Sequence, residues 1–298
     1  MRTSAFSDLL VPGIKKIIMG AAKERPLTYR RWMNVETSEK SFEDDFVMAG
    51  LGTVPIKGEG EPTEFDDYKA GDTRRYTHDE WSLGFAITEI MREDNLYKKE
   101  TELMARTLWR SMRNRIEVQA YSVPNNGFGT TMTTWDGLSL FNTAHTLVRG
   151  GTQANRPAVE LDLDVANLQA AIEDFRDWVD DDGMQVDLEP RLIMTNTVGR
   201  WMCREILQSP KKPHTQNNEI NALMADDIDY LDTPFLTDTD AWYLLAAPSD
   251  HFCKFMWRRQ PRMKNWDDED TGNANFAISA RFSVGATHPL GIWGTQGA

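Results

Sequence analysis

The stretch Gly50–Tyr76, GLGTVPIKGEGEPTEFDDYKAGDTRRY, is the feature that most restricts how this chain can fold. It holds five glycines, two prolines and charges of both signs, and it offers few side chains that a core could bury. Structureless loops longer than about 12–15 residues are uncommon in compact domains, where they serve as functional arms or disordered linkers. The sequence therefore predicts an arm or a linker between two ordered segments.

The segment after this stretch has β character. In TRRYTHDEWSLGFAITEI, five apolar side chains fall roughly on one side of a period-two pattern: Tyr76, Trp81, Leu83, Phe85 and Ile87. This pattern predicts the returning half of a long two-stranded hairpin, whose outgoing half is DFVMAGLGTVPI.

Helices are predicted on both sides of the hairpin. Near the N-terminus, Ser7 or Asp8 is expected to cap a short helix with Ile14, Ile17, Ile18 and Ala21 on one face. A much longer helix is predicted from about Asp94 to Tyr121, with Asp94 or Asn95 as its cap and Pro124 at its end. Its apolar positions recur in steps of three, four or seven and are Leu96, Leu103, Met104, Leu108, Met112, Ile116 and Ala120.

The second half of the chain predicts a compact α/β unit over about Leu163–Pro248. It consists of a helix capped by Asp162 or Asp164 and stopped by Gly183, the strand RLIMT, a helix capped by Asn196 or Thr197, and the strand AWYLLAA. After it, FAISARFSVGA alternates strictly and predicts a half-buried strand that pairs with HFCKFMWRR across the acidic turn WDDEDTGN.

Charge and composition exclude several classes of function. The chain of 298 residues carries 46 acidic and 33 basic residues, a formal net charge of −13, which disfavours sequence-specific nucleic-acid binding. Local basic runs remain in RSMRNR (110–115) and WRRQPRMK (257–264). No apolar run approaches the ~20 residues of a membrane span, and the N-terminus does not have the pattern of a signal peptide.

No motif for catalysis, phosphate binding or metal binding is present. The two cysteines, Cys203 and Cys253, are predicted to be reduced structural thiols, and the five histidines have no ligand spacing. Two acidic clusters, residues 179–189 and 266–273, lack the spacing of a calcium loop. A helix end and a hairpin turn are the favoured interpretations, with an opportunistic cation site as the alternative.

In their order along the chain, these parts resemble the major capsid proteins of tailed phages, which have the Hong Kong 97-like fold. More narrowly, they resemble the Mu-type major head subunit family. The resemblance covers essentially the whole chain. The segments that carry it are LLVPGIKKII, GLGTVPIKGEGEP, ITEIMREDN, LFNTAHTLVRGGTQAN, RLIMTNTVGRWMCREIL and ARFSVGATHPLGIWGTQG.

The resemblance implies an α+β capsid fold with five parts. These are an N-arm (1–45), an E-loop hairpin (46–88), a P-domain with the spine helix (89–160), an α/β A-domain (161–248) and C-terminal P-domain strands (249–298). It implies that the E-loop contacts a neighbouring subunit through Pro55, Lys57, Glu59, Glu61, Phe65, Tyr68, Lys69, Arg74 and Arg75. It places Leu103, Leu108, Met112 and Ile116 on the spine helix.

The implied function is that of a major capsid protein. Its copies would assemble as pentamers and hexamers into an icosahedral shell that encloses the double-stranded DNA of a phage, after assembly in the host bacterial cytoplasm. Implied partners are a portal, a separate scaffolding protein, decoration proteins and non-specifically contacted DNA. No enzymatic activity, cofactor, metal or membrane is expected. Covalent cross-linking of Lys57 or Lys69 to Asn265, Asn273 or Asn275 is a feature of some relatives, but these lysines have the pattern of solvated side chains.

Two other functions are alternatives. An encapsulin-like compartment shell would share the subunit plan and differ in holding protein cargo. A small soluble hydrolase or binding protein built on the α/β unit would need a pocket with convergent polar groups, which no motif in the sequence indicates.

Overall fold

A computed structural model describes residues 16–21, 26–93, 97–211, 213 and 220–298. Within the N-terminal part, residues 16–21 are helical, and Ile18 packs with Ile87 and Phe276. The predicted caps of this helix, Ser7 or Asp8, lie outside the described residues.

The described chain contains four further α-helices and twelve strands. The helices are α1 (Glu89–Glu93), α2 (Tyr97–Asn125), α3 (Val165–Arg176) and α4 (Arg200–Gln208). The strands are β1 (Asn34–Thr37), β2 (Phe42–Ala49), β3 (Lys69–Thr77), β4 (Asp79–Ile87), β5 (His145–Thr146), β6 (Thr152–Gln153), β7 (Leu192–Asn196), β8 (Asp229–Thr233), β9 (Trp242–Leu245), β10 (Cys253–Asp267), β11 (Ala274–Ala286) and β12 (Ile292–Thr295).

A four-stranded sheet with the order β1-β10-β11-β4 forms the larger core together with α2. The predicted pairing of FAISARFSVGA with the preceding strand is confirmed, because β10 and β11 are antiparallel neighbours. One face of the sheet carries Phe255, Trp257, Ile278 and Phe282, all buried in this core. The Phe282 ring lies 5.0 Å from Phe255 and 5.2 Å from Trp257 between centroids, so aromatic packing contributes to the burial.

The long helix is confirmed, and α2 continues four residues past the predicted end, so that Pro124 lies within its last turn. The predicted caps, Asp94 and Asn95, lie outside the described residues. Of the apolar positions, Leu108, Met112 and Ile116 are buried against the sheet.

Leu103 is different, because 67% of it is exposed. At this end of α2 the buried positions are Thr101 and Ala105, which continue the spacing of Leu108 and Met112. Each residue of a helix is rotated by about 100° from the one before, so Leu103 projects away from the face that these positions share.

A second four-stranded sheet, with the order β12-β9-β7-β8, forms the α/β unit with α3 and α4. The predicted strands RLIMT and AWYLLAA are β7 and β9. Asp164 is the cap of α3, since its side chain accepts a hydrogen bond of 2.7 Å from the Asn167 N–H.

Three details of this unit differ from the predictions. The helix α3 ends at Arg176, before Gly183, and residues 178–186 form a tight turn instead. The cap of α4 is Gly199 rather than Asn196 or Thr197, because Asn196 is still in β7. The last strand, β12, pairs with β9, so this sheet includes a strand that lies outside the predicted α/β unit.

The predicted hairpin is present but is shorter in its returning half. β2 pairs with β3 in an antiparallel register from Phe42↔Thr77 to Ala49↔Lys69. β4, which was predicted as part of the same returning strand, pairs with β11 instead. The period-two pattern identifies a strand but does not identify its partner, and residue 78 separates two strands in different sheets.

Candidate assembly interface

The β2–β3 hairpin ends in a tip, residues 50–68, that contains no regular secondary structure. At its far end the Gly58 N–H donates to the Glu61 carboxylate at 3.0 Å, and the Glu61 N–H donates to the Gly58 carbonyl at 3.2 Å. Gly60 has φ of +84°, a conformation that favours glycine. This closed turn gives the tip a defined end although it packs on no core.

Large apolar side chains of the tip point into solvent. Ile56 is 99% exposed and Phe65 is 96% exposed, while Val54 and Tyr68 are also largely exposed. Contiguous exposed apolar surface on a soluble protein typically marks an interaction site. The tip therefore has the composition of a surface that another molecule covers.

The tip is also acidic. Residues 50–68 contain five acidic side chains and one basic side chain, a net charge of −4. The basic one is Lys57, whose Nζ lies 3.4 Å from the Thr63 hydroxyl. A partner for the tip must therefore complement both apolar and negatively charged surface.

Arg149 holds the two sides of the hairpin together where the tip begins. Its guanidinium donates to the carbonyl oxygens of Gly50 at 2.7 Å and of Asp67 at 2.9 Å. It also pairs with the carboxylates of Asp182 at 2.6 Å and of Asp66 at 2.9 Å. One side chain from outside the hairpin thus binds both strands and ties them to the loop after α3.

The carboxylate of Asp66 also links the two sides of the hairpin at this point. Hydrogen bonds from the Gly52 N–H, at 2.8 Å, and from Arg149 lower the pKa of Asp66 below its ordinary value. We call Gly50, Gly52, Asp66 and Asp67 the neck of the hairpin.

The base of the hairpin packs against the subunit. Val47 and Ala49 are buried with Val148, next to Trp135. A Cβ at Gly71 would lie 3.0 Å from the Trp135 ring, so the absence of a side chain there permits this close packing. The base is consequently fixed, while the tip beyond the neck is exposed.

The residues predicted for inter-subunit contact all lie on this hairpin, and most of them are on the exposed tip. Arg74 and Arg75 are exceptions, because they lie at the base and contact their own subunit. Arg74 donates to the Thr133 hydroxyl at 2.8 Å, and Arg75 forms two hydrogen bonds with Asp44, of 2.6 and 2.7 Å. Lys69, the first residue of β3, is exposed, as is Arg75. The remaining six are exposed on the tip: Pro55, Lys57, Glu59, Glu61, Phe65 and Tyr68.

Sequence reasoning missed a buried acid on α2. Glu117 is 0% exposed, and its carboxylate accepts hydrogen bonds from the Thr28 hydroxyl at 2.9 Å and from the Tyr29 N–H at 3.2 Å. It thereby fixes residues 28 and 29, within the predicted N-arm, onto the long helix. The signal was available, since a glutamate between Ile116 and Ala120 on the apolar stripe requires a partner.

An exposed apolar face on α4 was also missed. Trp201 on α4 and Val198 just before the helix are both 66% exposed, and Arg200 and Arg204 lie beside the Trp201 ring. The opposite face of α4 buries Cys203 in the core of the α/β unit. The alternation of these faces was visible in WMCREIL, but the position of the helix at the surface was not.

The groups considered for chemistry have structural roles. Burial raises the pKa of Cys203 to about 11 and that of Cys253 to about 12, so both thiols stay protonated. The carboxylates of Asp180 and Asp268 accept hydrogen bonds from backbone N–H groups of their own turns. Among the described residues, no group of three or more His, Cys, Asp and Glu side chains could hold a metal ion.

The described helices include none that is both long and apolar enough to cross a membrane.

The sequence matches a family model described as phage capsid protein over residues 71–294. This chain belongs to the phage capsid protein family. The match includes most of β3, all of β4 and α2, nearly all of the α/β unit and the β10–β11 pair. A search of curated protein sequences gives no match.

Solved structures share the fold at low sequence identity. A structure of Mycobacterium phage Patience is 8% identical, with a TM-score of 0.56, over 100% of this chain and 89% of that chain. The bacteriophage JBD30 capsid is 14% identical, with a TM-score of 0.56, over 72% of this chain and 92% of that chain. A virus-like particle from Pyrococcus furiosus is 9% identical, with a TM-score of 0.53, over 95% of this chain and 97% of that chain.

The predicted α+β, Hong Kong 97-like capsid fold is thus confirmed. The family match supports a major capsid protein that forms the phage shell, and it gives the encapsulin-like alternative no advantage. This is a structural protein of a virion, which leaves the hypothesis of a soluble hydrolase without support.

Proposed function

We propose that the hairpin tip is the arm through which each subunit of the shell binds a neighbouring subunit. The observation that carries the proposal is the exposure of Val54, Ile56 and Phe65 on a hairpin whose neck is bound by Arg149. Such an arm replaces contacts within one chain by contacts between chains. The fixed neck limits the entropy lost when the tip binds.

In this proposal the subunits form pentamers and hexamers. Contacts between a tip and a different surface of the next copy are heterologous, and a ring of such contacts closes by rotation. The glycines of the tip allow the same arm to adopt different tilts in the two kinds of ring. Membership of the Mu-type head subunit family is part of the proposal and is supported by the segments quoted above.

The division into arm, E-loop, P-domain and A-domain is also proposed. The pairing of β4 with β11 favours an E-loop that ends at Thr77, and the pairing of β12 with β9 favours an A-domain sheet that includes the C-terminus. Leu108, Met112 and Ile116 would then form the buried side of the spine helix, with Leu103 available for contact between subunits.

The proposed partners follow from a phage shell. They are a portal, a separate scaffolding protein, decoration proteins and packaged double-stranded DNA that is contacted without sequence specificity. The net charge of −13 supports weak rather than tight contact with DNA. We place assembly in the host bacterial cytoplasm and assign no catalytic role to the chain.

A shortened hairpin tests the proposal. Residues 53–65 are replaced by Asn-Gly, which retains Gly52, Asp66 and their hydrogen bond. Because the tip packs on no core, we expect unchanged circular dichroism and a thermal midpoint within about 2 °C of the wild type. Electron microscopy and size-exclusion chromatography should show folded subunits without closed shells.

The control keeps the length of the tip and scrambles the order of residues 53–65, which tests whether the arm acts by its sequence or by its length. Shells of wild-type yield and size from the shortened variant would exclude the proposed role of the tip. Nucleic acid in purified wild-type particles would agree with a phage head, whereas protein cargo would favour the compartment.

A further inference from the structure

The β2–β3 hairpin is joined to the larger sheet by two short connections. Residues 38–41 link β1 of the sheet to β2, and a single residue, His78, links β3 to β4. Thr77 before it pairs with Phe42 in the hairpin, whereas Asp79 after it pairs with Phe282 in the sheet. Hinges are usually formed by such residues at the ends of strands. A change in the angle between hairpin and sheet therefore involves His78.

His78 is bonded to both sides of this junction. Its N–H donates to the Ser41 carbonyl at 3.4 Å, and its own carbonyl accepts a hydrogen bond of 3.2 Å from the Arg281 guanidinium. The ring Nδ1 lies 2.9 Å from the hydroxyl of Ser283 on β11. Only 3% of His78 is exposed, so its ring is enclosed between the hairpin and the sheet.

The other ring nitrogen of His78 has no partner. Among the described residues, none forms a hydrogen bond with Nε2, which is buried. A neutral imidazole has a single N–H, which Nδ1 can donate to the Ser283 hydroxyl, whereas the imidazolium ion has two N–H donors. Protonation would therefore bury a positive charge and an N–H donor without an acceptor, which is costly.

Charged groups from four strands face the His78 ring. Arg281 of β11 and Arg258 of β10 are basic, and Glu43 of β2 and Asp79 of β4 are acidic. Burial is the largest influence and lowers the pKa of His78 below its ordinary value. The two arginines lower the pKa further, and the two carboxylates oppose them in part.

The contacts that hold the hairpin on the sheet beside His78 are mainly polar. The Tyr76 hydroxyl lies 2.7 Å from that of Thr287, which also donates to Asp45, and Lys254 pairs with Asp45 at 2.8 Å. The Tyr76 ring lies against Gly285, where a Cβ would approach it to 2.7 Å. Polar contacts are replaced by contacts with water when they open, so their net contribution to docking is modest.

We infer that His78 is a pH-sensitive hinge, whose protonation favours a hairpin that has moved off the sheet and has brought the ring into water. In water the pKa of a histidine is about 6.5. Because the pKa is lower in the docked hairpin, docking is unaffected above about pH 6.5 and weakens as the pH falls through that value. The direction of the arm then depends on pH. The inference concerns the single subunit and does not require the proposed role of the tip.

NMR of unassembled subunits tests the hinge. Titration of the histidine ring signals gives the pKa of His78, with the signal assigned by its absence in His78→Asn. A fluorotyrosine in place of Tyr76 reports by fluorine NMR whether this ring lies on the sheet. Between about pH 7 and 5 we expect the fluorine signal to shift towards that of the unfolded chain, and the pKa of His78 to lie below about 6.5.

Three variants separate His78 from other titrating groups. His78→Asn retains an amide group that can bond Ser283 but cannot be protonated, and it should abolish the response of the fluorine signal over this pH range. The other four histidines are unchanged in this variant. Arg258→Gln removes a positive charge near the ring and should move the midpoint of the response to higher pH. Glu43→Gln removes a negative charge and should move the midpoint to lower pH.

A His78 pKa at or above 6.5, a fluorine signal that is independent of pH, or an unchanged response in His78→Asn would each overturn the inference. If His78→Asn does not fold, the variants at Arg258 and Glu43 decide, because opposite shifts are expected only if the charge of His78 controls docking. The hinge lies at the base of the hairpin, so the shortened hairpin tests the role of the tip independently of this inference.

Discussion

The two long hairpins of this chain differ in where their side chains find partners. The β10–β11 hairpin buries Phe255, Ile278 and Phe282 against α2 within the same subunit. The β2–β3 hairpin packs only its base, and beyond the neck it exposes Ile56 and Phe65 almost completely. Both are antiparallel pairs, so the difference lies in the neighbours and not in the strands.

This difference separates folding from assembly. Apolar surface that is buried within the subunit contributes about 25 cal/mol per Å² to its stability, whereas surface exposed in the subunit contributes only when a partner covers it. We therefore expect substitutions in the β10–β11 core to reduce the free energy of unfolding. Substitutions in the hairpin tip should leave that quantity unchanged and reduce assembly.

The largest expected effect is in the core. Phe282→Ala removes a buried ring that contacts Phe255, Trp257 and Trp81, and it should reduce the free energy of unfolding by about 3–5 kcal/mol. Urea denaturation of unassembled subunits measures the loss. The matched variant Phe65→Ala, in the exposed tip, should lose less than about 0.5 kcal/mol. Equal losses at the two positions would contradict the contrast between the hairpins.

The second-largest loss of free energy of unfolding is expected at Glu117, the buried acid of α2. Glu117→Ala leaves the Thr28 hydroxyl and the Tyr29 N–H without their acceptor, so we expect a loss of about 2–3 kcal/mol. Hydrogen exchange at the Tyr29 amide should accelerate in parallel. Glu102→Ala, which removes an exposed pair with Arg106 on the same helix, should cost no more than about 0.5 kcal/mol. Unchanged amide exchange would show that Glu117 does not hold this segment.

The free energy of unfolding is expected to depend on pH through Asp136, which lies next to the site where the hairpin base packs on the subunit. Burial tends to raise the pKa of Asp136, but hydrogen bonds from His145 and Thr134 outweigh it and lower the pKa to about 2. The unfolded chain has a value near 3.9, so this stabilisation is complete above about pH 4 and is lost as the pH falls towards 2.

The contribution of Asp136 amounts to about 2 kcal/mol. Asp136→Asn should remove that part of the acid dependence, which urea denaturation between pH 2 and 6 measures. It should also loosen the neighbouring Trp135, against which the hairpin base packs. An acid dependence identical to that of the wild type would assign the effect to other carboxyl groups.

The smallest effect on folding is expected in the tip. Replacing Val54, Ile56 and Phe65 by serine should change the free energy of unfolding by less than about 0.5 kcal/mol. The concentration required for assembly should rise about tenfold or more, because each large side chain loses burial in the shell. Light scattering during assembly measures this concentration. Val159→Ser, at an exposed position outside the hairpin, serves as the control and should leave it unchanged.

Periodic segments were predicted well because their patterns depend only on local geometry. The alternation of FAISARFSVGA predicted β11, and the spacing of Leu108, Met112 and Ile116 predicted α2. Of the two predicted caps of α3, Asp162 and Asp164, the structure has Asp164. The wrong predictions concern which strands pair, where helices begin and end, and which side chains are buried. Leu103 is apolar and fits the same spacing rules loosely, but only the sheet against which α2 packs decides that Ala105 is buried instead.

The candidate interface was predicted in part. The glycine-rich stretch marked the hairpin tip, and six of the predicted contact residues are exposed there. Arg149 was not predicted, because it lies far from the neck in sequence and no local pattern relates an arginine after β5 to Gly50 and Asp67. The basic run WRRQPRMK lies on β10, but the sequence alone does not show which of its side chains share a face of the sheet.

The sequence by itself determined the kinds of element and their order, since side-chain periodicity, caps and turn residues act over a few neighbouring positions. It also determined that the chain carries an acidic, glycine-rich arm with little to bury. Only the tertiary structure decided that β4 leaves the hairpin to pair with β11, that β12 joins the α/β unit, and that Arg149 closes the neck. These features depend on contacts between residues distant along the chain, which form only when the whole subunit has folded.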